Sequence, residues 1–148
     1  MQTINTGAAG AFAATNPADP LIDTVYSLKA DYRPGARWLI SRSTAGAMRK
    51  LKDADGNYLW QTSAVVGQPD AFLGFPVTLA EDMPDIAADS LSVAFGNFQR
   101  GYVIADHPSV LVLRDALTLK GWVKFYSTRR VGGAVYDFDA IKLVQFSA

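Results

Sequence analysis

The residues of this chain whose types and spacing could do chemistry are few, and several lie between positions 129 and 139. Asp137 and Asp139 alternate with Tyr136 and Phe138. At strand spacing both carboxylates share one face, as a glycosidase acid–base pair would. Adjacent acids on a strand edge are also commonplace on ordinary surfaces. Arg129 and Arg130 precede Gly132-Gly133 and form a candidate anion site or, more often in proteins, a structural or interface pair. The glycines lack the following Lys-Ser/Thr of a phosphate loop and the spacing of a dinucleotide fingerprint. A small ligand-binding or enzymatic domain using Arg130, Asp137 and Asp139 is one reading, and it requires those side chains to converge in a cleft.

Two further constellations fail on inspection. Asp53-Ala54-Asp55-Gly56-Asn57 has the look of a calcium loop, but such a loop needs Gly at position 6 and a bidentate Glu at position 12. Counting from Asp53, those places hold Tyr58 and Ala64, so a tight helix-to-strand turn is expected instead. His107, the single histidine, sits in Asp106-His107-Pro108-Ser109, and no Gly-x-Ser-x-Gly elbow accompanies it. It reads as a surface turn residue. The absence of cysteine removes disulfides, thiolate metal sites and cysteine nucleophiles. Nothing demands a cofactor or a metal.

The elements that would position these residues follow from composition and pattern. With 148 residues, 49% apolar and 19% charged, one domain with a packed core is expected and wholesale disorder is excluded. Fourteen Lys+Arg balance fourteen Asp+Glu, which argues against a dedicated binder of nucleic acid. No run reaches the roughly 20 apolar residues of a membrane span, and the start of the chain lacks the pattern of a secretory signal. Residues 1–18, broken by Gly7, Gly10, Asn16 and Pro17, read as a flexible N-terminal arm, with a single domain over 19–148. Asp19 as cap and Pro20 in the first turn start a helix carrying Leu21, Val25, Leu28 and Tyr32 on one stripe, with Pro34-Gly35 ending it. A strand over 37–40, a helix capped by Ser41 or Ser43 and running to Leu51, and a turn at Gly56 follow. Residues 61–70 read as a loop, and 74–79 as an edge strand because Pro76 cannot donate to a ladder. Strands are expected at 91–95, 102–105, 110–113, 122–126 and 141–146, with most of their aromatic residues in the core. Helices early and strands late suggest an α+β fold.

Charge is segregated despite the zero total. Seven basic residues against one acid lie between Lys29 and Lys52, among them Arg42, Arg49 and Lys50. Five acids and no base lie between Asp70 and Asp89, namely Asp70, Glu81, Asp82, Asp85 and Asp89. These are either two solvated faces or complementary surfaces through which one copy meets another. On the second reading Arg42, Arg49, Lys50, Glu81, Asp82, Asp85, Asp89, Arg129 and Arg130 are the candidate subunit-interface residues.

The order of several short motifs resembles a known family. They are Trp38-Leu39-Ile40-Ser41, the run from Leu51 to Trp60, Gly74-Phe75-Pro76-Val77, Ala94-Phe95-Gly96-Asn97-Phe98, and Arg130-Val131-Gly132-Gly133 with Asp139-Ala140-Ile141-Lys142. Together they resemble the C-terminal part of HK97-like tailed-phage major capsid proteins, especially those of alphaproteobacterial prophages and gene transfer agents. The resemblance implies an HK97-like α+β fold with an axial domain and the returning strands of a peripheral domain. It lacks the N-terminal arm, extended loop and spine helix that such a family member carries ahead of the part matching Asp19 onward. It also implies a structural virion protein, or a truncated fragment of one, made in the bacterial cytoplasm and acting by self-association in the capsid shell. Other copies and full-length capsid subunits would be its partners, with no enzymatic role, no sequence-specific nucleic acid and no membrane. A capsid-fold regulator that binds a full-length capsid protein is the neighbouring alternative.

Overall fold

The computed structural model describes residues 1–53, 55–60 and 70–147. A six-stranded mixed sheet organises it, with strands in the order β1-β10-β5-β2-β4-β3. In chain order these are β1 (Gln2–Asn5), β2 (Arg37–Ile40), β3 (Ala71–Phe72), β4 (Phe75–Leu79), β5 (Val93–Gly96) and β10 (Ile141–Gln145). Register places Trp38 beside Phe95, and Ile40 beside Val93 and then Val144, so these side chains share one face. All five are fully buried, in one cluster with Leu21, Val25 and Leu28 from the first helical segment and Met48 from the second. The Trp38 ring lies 4.4 Å from that of Phe95, and its Nε1 donates to the Phe72 carbonyl at 3.0 Å. A buried indole thus keeps its polar atom satisfied.

The helices supply the cover. Helix α1 (Asp19–Ser27) begins with Ala18 as its cap, so Asp19 occupies the first helical position, one residue later in the motif than expected. It stops at Ser27, well before Pro34-Gly35, because Leu28 turns to extended backbone and buries its side chain. A 3-10 turn, Ala30–Tyr32, follows. Helix α2 (Arg42–Arg49) is capped by Ser41, whose hydroxyl accepts from the Thr44 amide. The polar turn after it closes on Gly56 at φ +85, and the Asp53 carboxylate accepts from the amides of Asp55 and Asn57. The expected loop over 61–70 lies, Asp70 apart, outside the described residues.

The late strands depart from the sequence expectation. After the short helix α3 (Phe98–Gly101) the chain forms β6 (Tyr102–Asp106), β7 (Leu111–Asp115), β8 (Lys124–Thr128) and β9 (Val131–Val135) before returning through β10. β6 pairs with β9 and β7 with β8, both antiparallel, giving a nested two-stranded ribbon outside the main sheet. Most aromatic residues of these strands were expected in the core, yet the ribbon's side chains are mostly exposed on both faces. Gly132-Gly133 lies inside β9. There the Tyr102 ring crosses Gly133 so closely that a Cβ would sit 2.4 Å from its hydroxyl. Residues 1–18, expected as a flexible arm, instead contribute β1, which pairs in parallel with β10. Their Phe12 also packs edge-on against Phe146 at 5.0 Å. The edge position expected for 74–79 is taken by β3, which pairs outside β4.

Candidate assembly surface

Only one face of the main sheet is covered by α1 and α2. On the other face Leu39, Ala94 and Leu143 stand in register, beside a groove of about 760 Å³. The ribbon extends the same apolar wall with Tyr102, Ile104 and Val135, which project to one side of the β6–β9 pair. Farther out, Leu111, Leu113 and Tyr126 share one side of β7–β8, and Val112 and Phe125 the other. Phe125 is 66% exposed and Trp122, near the tip, 73%. Exposed apolar area of this extent is unusual on an isolated domain. Alternation of apolar residues signalled the strands, but nothing in that pattern shows whether a partner for them belongs to the same chain.

The charged candidates are divided. Arg42 pairs with Glu81 at 3.2 Å and Arg49 with Asp70 at 2.5 Å, so two members of the basic segment meet the acidic segment within one copy. The Arg49 guanidinium also stacks 5.0 Å above the buried Trp60 ring. Asp85 accepts from Ser43 and Ser41, whose hydroxyls hold its carboxyl below the ordinary range. Lys50, Asp82 and Asp89 are exposed. Arg129 pairs with Asp106 across the ribbon, which raises the guanidinium's already high pKa. Arg130 is exposed beside the ribbon's waist, where its carbonyl accepts from the His107 amide at 3.0 Å.

The enzymatic constellation does not assemble. Arg130 precedes β9 and Asp137 follows it, so a five-residue strand of about 17 Å separates the two. Asp137 accepts from the Tyr32 hydroxyl at 2.6 Å and Asp139 from the Lys29 ammonium at 2.5 Å. Those donors pull both carboxyls below their usual pKa, which suits a structural anion rather than a general acid at neutral pH. Lys29 and Tyr32 went unremarked as partners in the sequence, since more than a hundred residues separate each from its aspartate. His107 Nδ1 lies 3.1 Å from the Ser109 hydroxyl in an exposed turn.

The fold is thus a mixed α+β sheet covered by helices on one face, with a long ribbon inserted between its adjacent interior strands β5 and β10. Solved capsids match it closely. The capsid of an empty GTA particle aligns with TM-score 0.84 and 52% identity over 99% of this chain and 50% of that one. The capsid of a native GTA particle gives 0.83 and 52%, over 99% and 54%. A structure titled Gordonia phage Cozz shares the fold at TM-score 0.59 and 13% identity, over 99% of this chain and 50% of that chain. No curated protein gives a significant match. Residues 1–146 match the model of the phage capsid family, and the chain belongs to that family. It spans about half the length of the GTA capsid chains it matches.

Proposed function

We propose that this chain is a shell-building portion of a capsid subunit of a phage or GTA-type particle, working through contacts with other capsid subunits and performing no bond-making chemistry. The observation that carries the proposal is the apolar surface running from the open face of the sheet onto the ribbon, which nothing in the described residues covers. Burying it is worth roughly 25 cal/mol per Å² of apolar area, enough to make repeated subunit contacts favourable. Lys50, Asp82, Asp89 and Arg130 are exposed charges suited to setting register between copies, whereas Arg42 and Arg49 are already paired with Glu81 and Asp70 within one copy. On this proposal the chain is made in the bacterial cytoplasm and resides in the virion. Its partners are further copies and full-length capsid subunits.

Sedimentation velocity over a series of protein and salt concentrations tests this. Association that grows with concentration and persists at high salt supports an apolar contact, because screening weakens exposed charge pairs and leaves hydrophobic burial intact. A single monomeric species throughout contradicts it.

A further inference from the structure

The ribbon joins the body through a narrow root. A two-stranded ribbon has little stability or fixed direction of its own. At the root the Gly101 carbonyl accepts from the amides of Tyr136, at 2.8 Å, and Asp137, at 3.3 Å, which ties the outgoing strand to the returning one. The segment 29–34 runs alongside, anchored at either end by the buried residues Leu28 and Ala36. It reaches both strands. Toward the outgoing strand, the Pro34 carbonyl accepts from Asn97 Nδ2 at 2.8 Å and the Asp31 carbonyl from the Arg100 guanidinium at 3.3 Å. Toward the returning strand, the Tyr32 hydroxyl donates to Asp137 at 2.6 Å and the Lys29 ammonium to Asp139 at 2.5 Å.

We propose that residues 29–34 are a strap that fixes the angle of the ribbon to the sheet. With the Lys29 and Tyr32 links released, the returning strand keeps only its main-chain bonds near Gly101 and Ala140, and the ribbon swings about Gly101 and the 136–139 loop. Both links bind side chains that lie beyond the end of β9, so they direct the ribbon without forming part of it. Lys29 and Tyr32 are positioning residues. The proposal concerns a single subunit and holds whether or not the chain builds a shell.

Pulsed electron–electron distance measurement tests it directly. The chain has no cysteine, so Asp23→Cys on α1 and Val112→Cys on β7 place two spin labels at unique, exposed sites. Dilution into unlabelled protein removes distances between copies, which separates this readout from any self-association. A single narrow distance is expected for the parent, and a shifted, broader distribution for Lys29→Met with Tyr32→Phe. Arg129→Gln, which removes the Asp106 pair within the ribbon, is expected to leave the parent distance unchanged. The exchanged pair Lys29→Asp with Asp139→Lys is expected to recover most of the narrow distribution. Should the double variant lose its helical circular dichroism, Tyr32→Phe alone carries the same expectation with a milder change. A released variant that superimposes on the parent overturns the strap, as does equal broadening by Arg129→Gln.

Discussion

Gly96→Ala is the single substitution through which the packing account is most sharply tested. Gly96 ends β5 opposite Ile141, at φ +156, where the backbone of the returning chain passes directly over it. A Cβ there would lie 2.2 Å from the Ala140 carbonyl oxygen and 2.8 Å from the Ile141 Cα, both main-chain atoms that no rotamer change can move. Relief requires β10 to shift, which strains the adjacent bond from the Asn97 amide to the Ala140 carbonyl, now 2.9 Å. Overpacking of this kind costs about 1–3 kcal/mol. A non-glycine residue at such a φ adds about 1–3 kcal/mol. The smaller unfolded-state entropy of alanine returns about 0.4–1 kcal/mol. The net loss is therefore about 1–5.6 kcal/mol, or on the order of 2–22 °C in Tm for a chain of this size. Gly132→Ala is the matched control, since a Cβ at Gly132 meets nothing within 4 Å, and it should stay within about 0.5 kcal/mol of the parent. Urea titration followed by circular dichroism and tryptophan fluorescence measures both. Equal stability of Gly96→Ala and the parent, or equal damage from Gly132→Ala, would refute the reasoning.

Acid should destabilise the fold in a defined window. Asp85, Asp115, Asp137 and Asp139 all have carboxyl pKa values lowered by hydrogen-bond donors, led by Ser43, Thr118, Tyr32 and Lys29 respectively. Their contribution is present above the unfolded-state carboxyl pKa of about 3.9 and is lost as pH falls through the folded values. The unfolding midpoint should thus be flat from neutrality to about pH 5 and fall below about pH 4, more shallowly in Asp85→Asn. A midpoint that rises on acidification contradicts those partnerships. Trp122→Ser, at the exposed ribbon tip, should alter stability by less than about 0.5 kcal/mol while weakening self-association in the ultracentrifuge. Lost stability with unchanged association would place Trp122 in the fold rather than the contact.

Local signals were legible where one short stretch carries its own physics. Trp38 to Ile40 alternates toward the core, Ser41 caps α2, and Gly56 supplies the positive φ of its turn. The strand Gln2–Asn5 carried no such signal, because only the offered edge of β10 makes it a strand. Val131–Val135 was masked by its glycines, whose use emerges only when the Tyr102 ring is seen crossing Gly133. The ribbon strands were legible as strands but not as exposed ones, since burial depends on what packs against them. Charge segregation was equally visible, yet the Arg42–Glu81 and Arg49–Asp70 pairs close within one copy once α2 lies beside the acidic segment. The family was readable from motif order, and the match over residues 1–146 agrees with it.

Electron microscopy of particles formed when this chain is co-expressed with a full-length GTA-type capsid subunit bears most directly on shell building. An affinity tag on this chain alone should pull down closed shells that contain both polypeptides, with Ile104→Asp excluded from them. Shells that form normally without taking up the chain, or uptake indifferent to that charge on the apolar wall, would contradict the account.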